Sequence, residues 1–301
     1  MKGDVLVGTD GGVHLLGGDG PRELDGRPID ALARGDDSLW AIANDALILR
    51  SSGSNGWESV AELEGGAAAC LLPTRVGLLM GASEARLFKL SDGALEQMGS
   101  FREVEGRDGW YTPWGGPPAV RSLAECDDGT IYVNVHVGGI PRSSDGGRSW
   151  QPTIEVDSDV HQVIVDPSRE GRVLAATAQG LAASEDRGET WSFHTDGLNA
   201  TYCRAVAVSA ETVFVTASDG PSGGHAAVYR RPLDAGGPLD RCTVGLPEWF
   251  GENIDTYCLD AAPGLAAFGT QSGSVFSSED EGGSWREEAG GLPPVRALLL
   301  R

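Results

Sequence analysis

Apolar residues along the chain come in short runs separated by clusters of glycine, aspartate, serine and proline. The clearest stretch reads Val163-Ile164-Val165, then Val173-Leu174-Ala175-Ala176, then Gly180-Leu181-Ala182-Ala183-Ser184, then Trp191-Ser192-Phe193. Runs this short, bounded by turn-forming residues, predict strands, because an amphipathic helix needs about ten residues or more. Four strands make one unit. Aligning the chain on that frame gives seven units, whose innermost strands begin near Ile29, Ala67, Val120, Val160, Cys203, Ile254 and Val295. The last is a lone strand, residues 295–301, while the chain opens directly on the second and third strands of a unit, Asp4–Thr9 and Gly12–Leu16. The two pieces are expected to complete one another and leave no open sheet edge.

An eight-residue box punctuates these units. Residues 143–150 (Ser143, Asp145, Gly147, Ser149, Trp150), 184–191 (Ser184, Asp186, Gly188, Thr190, Trp191) and 278–285 (Ser278, Asp280, Gly282, Ser284, Trp285) all read S-x-D-x-G-x-[ST]-W. Their tryptophans lie 41 and then 94 residues apart, the second gap being two steps of 47. Stepping back 93 residues from Trp150 reaches Trp57, at the end of a degenerate copy spanning 51–57. A period of 41–47 residues divides the 301-residue chain into seven repeats. Within a box, the aspartate accepts backbone N–H groups of a tight turn, the glycine supplies a positive φ, and the tryptophan packs between sheets. Asp145, Trp150, Asp186, Trp191, Asp280 and Trp285 are thus expected to be structural. The predicted fold is all-β: one seven-bladed β-propeller domain over 1–301, with four-stranded antiparallel blades and a closing strand at 295–301.

Composition agrees and narrows the partners. Eight tryptophans and 40% hydrophobic residues supply a large core, and 44 glycines supply the turns. The net charge is −21, and Lys2 and Lys89 are the only lysines among 23 basic residues. That balance fits either a high-salt cell or a high-GC genome, and it argues against general nucleic-acid or anionic-membrane binding. With no apolar run of 18 residues and no leader-like start, a cytoplasmic location is expected. The five cysteines (Cys70, Cys126, Cys203, Cys242, Cys258) are spread out with no C-x-x-C, as for free thiols in a reducing compartment. Nothing implies a cofactor, and a monomer is the default.

The frame also aligns one position across the blades. The second residue of the innermost strand is Arg296, Asp30, Ala68, Arg121, His161, Arg204 and Asp255 in circular order. Ionisable groups recurring among apolar neighbours suggest a polar channel mouth. They either pair with one another, for example Arg296 with Asp255 or Asp30, or hold an anion through the three arginines. Unusual loops belong to the same side. The 101–118 insertion carries Trp110, Tyr111 and Trp114, residues 219–225 form a second long loop, and Trp249 leads into the seventh unit. His136, His161 and His225 fall on neighbouring blades and are candidate metal ligands, without the close spacing of a known motif.

The S-x-D-x-G-x-[ST]-W boxes resemble the Asp-box, or BNR, repeats of sialidases and of non-catalytic propellers such as photosystem II assembly factors. The lead-in Val173-Leu174-Ala175-Ala176-Thr177 with Gly180 is also similar to that repeat. The resemblance covers the whole chain as architecture and leaves activity open. Sialidases of the family use an arginine triad, a tyrosine–glutamate pair and an aspartate. Arg121, Arg204 and Arg296 imitate the triad, and Tyr257 with Glu252 or Tyr111 with Glu105 are loose candidate pairs. Their R-I-P motif is absent, since Gly139-Ile140-Pro141 lacks the arginine, and such sialidases have six blades. The non-catalytic members imply partner binding through an arginine patch. The leading expectation is therefore a binding or scaffold propeller for a protein, an anionic small ligand or a carbohydrate. The alternatives are a sialidase-like glycoside hydrolase and a lactonase- or lyase-like enzyme with a metal in the channel.

Overall fold

The computed structural model describes residues 5–17, 23–52 and 56–300. Seven antiparallel sheets follow one another along the chain, and no α-helix occurs among the described residues. The first sheet joins Val5–Thr9 and Gly12–Leu16 to Val295–Leu300. The second contains Ile29–Arg34, Leu39–Ala43, Leu47–Ser51 and Trp57–Glu62. The third contains Ala68–Thr74, Gly77–Ala82, Arg86–Ser91 and Ala94–Gln97. The fourth is Val120–Glu125, Ile131–Val135 and Arg142–Ser143, and the fifth Val160–Val165, Val173–Thr177, Gly180–Ser184 and Ser192–His194. The sixth is Tyr202–Val208, Thr212–Ser218, Ala227–Pro232 and Asp240–Arg241. The seventh is Leu259–Ala262, Leu265–Gly269, Val275–Ser278 and Arg286–Ala289. In the two sheets with three named strands, an isolated bridge marks the fourth position, Val13 to Glu23 and Arg142 to Gln151. This is the seven-bladed β-propeller with four-stranded blades that the repeat predicts. The expected closure is present, with Val5 opposite Leu300 and Thr9 opposite Val295. Asp4 and Arg301, placed at the ends of these strands by the sequence, lie outside the described residues, as do Gly53 to Asn55 of the degenerate box.

The chain divides into two compact units, one of Met1–Pro28, Ala175–Ala183 and Ser192–Arg301, the other of Ile29–Leu174 and Ser184–Trp191. The core of the first is aromatic, with Phe268 at 5.1 Å from Phe276 and 5.0 Å from Trp285, all buried beside Val5, Val7 and Ile254. That of the second is aliphatic, built on Ile42, Ile48, Leu71, Met80 and Ala82.

The boxes fold alike. In the first, Asp145 accepts the N–H groups of Arg148 and Ser149 at 2.9 and 3.0 Å and the hydroxyls of Ser149 and Ser143 at 2.7 and 2.8 Å. Asp186 repeats this with Thr190 and Ser184, and Asp280 with Ser284 and Ser278. The first serine accepts the box glycine's N–H at 2.7–2.8 Å in all three, and those glycines have φ of +85°, +89° and +78°. Trp150 and Trp285 are buried, while Trp191 is half-buried. The hydrogen bonds from Ser149 hold the Asp145 carboxyl at about 2, those from Thr190 hold Asp186 at about 2, and those from Ser284 lower Asp280 as well. A carboxyl depressed on folding stabilises the fold above its unfolded value near 4, and that stability fades as pH falls through the folded value. Tm is therefore expected to drop between about pH 4 and pH 2, and replacing all three aspartates by asparagine should lower Tm at neutral pH and flatten that slope. An unchanged slope in a calorimetric pH series on the triple variant would refute it.

Three strand starts differ from expectation. The third and sixth units begin at Ala68 and Tyr202, one residue from the predicted Ala67 and Cys203. The seventh begins at Leu259 rather than Ile254. Ile254 is buried like a strand residue, but Tyr257 adopts φ +63° and the Cys258 N–H donates to the Asp255 carbonyl at 2.9 Å, closing a turn. The 101–118 insertion overlaps two short 3-10 turns, Gly99–Glu103 and Arg107–Gly109.

Candidate functional site

The aligned polar position coincides with a backbone irregularity. Where the first strand of a sheet pairs with its neighbour, the register skips Asp30 between Ile29 and Ala31, and Arg121 between Val120 and Ser122. It slips across Arg204 and Ala205, and it skips Arg296 against the strand Val5–Thr9. In the third sheet the skipped residue is Ala69, one past the Ala68 of the sequence alignment. Each is a β-bulge, whose extra residue leaves the ladder and re-aims its side chain. That is how charged residues fit between buried Ile29, Val120, Cys203 and Val295. Asp255 stands apart, in the turn before its strand.

In the first unit the bulged arginines are engaged by carboxylates. Arg204 donates from Nε and Nη2 to Asp255 Oδ1 at 2.8 and 2.5 Å, and Gln271 donates to Asp255 Oδ2 at 2.6 Å. Burial opposes the Arg204 charge, but Asp255 and Tyr202 outweigh it and raise its pKa. Arg296 donates to Asp10 at 2.6 Å, a partner 286 residues away. The Asp219–His225 loop is tied back by a 2.6 Å contact between Asp219 and His225 Nδ1. Trp249 lies edge-on to His225 at 5.4 Å and under the Arg241 guanidinium at 4.0 Å. Glu252 accepts the Ser272 N–H at 2.7 Å.

The second unit holds a different constellation. Asp30 accepts the Asp45 N–H at 2.7 Å. His136 follows the strand Ile131–Val135, and His161 is the second residue of Val160–Val165; both are buried. Their Nε2 atoms converge on Asp159 Oδ1, at 3.0 and 3.6 Å. Asp159 sits in the left-handed region, φ +48°, after the turn Val156–Ser158. Burial works against its charge, but the His136 hydrogen bond, His161 and Arg121 outweigh it and hold the carboxyl below its usual range. Asp159 was not foreseen. Its one sequence signal is the Asp-x-His spacing to His161, which gains meaning only with His136 alongside.

The 101–118 insertion frames this cluster. Trp110 turns inward, 5.8 Å from Phe101 and 4.7 Å from the Arg107 guanidinium. Trp114 is 64% exposed with its ring 4.9 Å from that of His136, and Tyr111 is 46% exposed and donates to Asp157 at 3.1 Å. The loop therefore both packs and presents, with Trp110 in one role and Tyr111 and Trp114 in the other. None of the five cysteines is in a disulfide, and burial pushes the thiols of Cys126 and Cys242 up to about 11, which disfavours thiolate chemistry. Among the described residues no helix is long and apolar enough to cross a membrane.

No protein-family model matches the sequence, and no curated protein matches it significantly. Solved structures do. The WD40 β-propeller domain of Doa1 is similar with a TM-score of 0.63 at 16% identity, covering 95% of this chain and 86% of that one. The RRP9 WD40 repeats give 0.61 at 16% identity, over 97% of this chain and 86% of that one. The GH74 enzyme of Niastella koreensis gives 0.62 at 14% identity, over 95% of this chain and 46% of that one. At such identities the likeness is one of fold.

Proposed function

We propose that the chain is a non-catalytic propeller that binds a protein partner through the face carrying Tyr111 and Trp114. The observation behind this reading is the pair of exposed aromatic side chains on an insertion anchored by Trp110. Large aromatics presented on a rigid support are what interface centres use, since they lose little side-chain entropy on binding. WD40 propellers with the same fold suit a scaffold role by analogy alone. We read the three boxes as Asp-box repeats on their shared hydrogen-bond pattern, and the free cysteines fit a reducing cytoplasm.

An anionic ligand at the bulged arginines is the second reading, and it would have to compete with the carboxylates that already engage Arg204 and Arg296. Glycoside hydrolysis is less well supported: Tyr111 donates to Asp157 rather than meeting Glu105, and Glu252 is engaged by a backbone N–H.

Replacing Trp114 by alanine is expected to weaken partner capture from extracts of the source cell by about 2 kcal/mol, roughly thirtyfold in affinity, with unchanged Tm. The comparison belongs at both low and high salt, given the charge of −21. Equal capture by wild type and variant, or turnover of fluorogenic sialosides and other glycosides, would overturn the reading.

A further inference from the structure

We propose that His136, Asp159 and His161 form a binding site for one divalent transition-metal ion, with zinc as the reference case. Two imidazoles and a carboxylate make a donor set that suits zinc, cobalt and nickel and leaves coordination positions open. The spacing fits. Ligand atoms about 2.1 Å from a metal lie roughly 3.0–3.4 Å apart for octahedral or tetrahedral angles. Asp159 Oδ1 is 3.0 Å from one Nε2 and 3.6 Å from the other, and all three ligand atoms lie within 4.8 Å of one another.

A hydrogen-bonded triad is the competing explanation, and it accounts for only half of the geometry. The 3.0 Å contact is short enough for a hydrogen bond, whereas 3.6 Å is too long for one to that oxygen. A shared ion accounts for both imidazoles aiming at the same carboxylate.

The surroundings are those of a held ion. Both histidines are almost fully buried, which fixes their ring orientation, while the Asp159 side chain remains 21% exposed although its Oδ1 is buried. Trp114 shields the His136 side of the cluster. Arg121 lies near enough to favour ionised Asp159, so an incoming cation meets a prepared carboxylate but also a nearby positive charge. That repulsion moderates the affinity. His225, grouped with these histidines from sequence, instead contacts Asp219. The site goes beyond the binding role proposed above and stands or falls separately from it.

The test is calorimetric titration of chelator-treated protein with zinc and with cobalt near neutral pH. One equivalent per chain is expected, with cobalt adding visible d–d absorption. Asp159→Asn keeps the shape and removes the charge, and it should weaken zinc by at least about tenfold, while His161→Gln should abolish the tight event. His225→Gln should bind as wild type does. For a readout that needs no variant, nitrogen-detected NMR of the five histidine rings should show one equivalent of zinc moving the signals of the two buried ones. No stoichiometric binding, binding unchanged in folded Asp159→Asn and His161→Gln, or zinc shifts confined to other histidines would each overturn the assignment.

Discussion

Deleting Val295–Leu300 is expected to leave the protein insoluble or unfolded at ordinary temperatures. Val295, Leu298 and Leu300 are each at most 5% exposed and pack with Val5, Val7 and Phe268 in the aromatic core. Burial of three such side chains contributes about 5–9 kcal/mol, a large part of the roughly 5–15 kcal/mol by which domains are stable. The deletion also strips one edge of the strand Val5–Thr9 of its partner along its whole length, leaving only Gly12–Leu16 on the other. A buried, apolar strand with a free hydrogen-bonding edge is a template for intermolecular pairing. The measurement is the soluble fraction after expression, with circular dichroism and size-exclusion chromatography on whatever remains. A soluble, monomeric truncated chain with the wild-type spectrum and Tm would show that closure is dispensable.

The second large effect concerns one carbon atom. Gly245 has φ +81°, and a Cβ built there would lie 1.8 Å from the Trp285 carbonyl oxygen and 2.9 Å from its carbon. The obstacle is backbone, so no rotamer change relieves it, and Trp285 is fixed by donating its N–H to the Val244 carbonyl at 2.9 Å. Its indole lies against Phe268 and Phe214, so displacement would spread into the core. Gly245→Ala is therefore expected to destabilise by about 3 kcal/mol or more, lowering Tm by roughly 6–12 °C. Gly65→Ala is the matched control. Gly65 has a similar φ of +72° with nothing within 4 Å, so only the conformational penalty of about 1 kcal/mol remains. Equal Tm values for the two variants in differential scanning calorimetry would refute the steric account.

The boxes were legible in the sequence because their chemistry is local. Ser143, Asp145, Gly147 and Ser149 satisfy one another within a few residues, so the spacing alone carries the turn. The first strand of the seventh unit starts later than predicted because Ile254 is apolar and buried yet precedes a turn that needs a left-handed Tyr257, a residue that does not advertise such a φ. Alignment showed that polar residues recur at one strand position. It did not reveal the bulge that makes the position different, nor the partner each side chain finds. Arg296 meets Asp10 and Asp159 meets His136 through the fold, and no short-range pattern encodes either meeting.

The pairing of Val5 with Leu300 also sets an order of events during synthesis. At about 5–20 residues per second, the strand Val5–Thr9 waits on the order of 15–60 s on the ribosome before its partner exists. For that interval one of its edges is bare, while later sheets such as Ile29–Glu62 already have all their strands in hand. The strand Val5–Thr9 precedes every other described strand in the chain and is thus among the last to be finished, and a chaperone that shields it would act on a nascent chain rather than on a completed one.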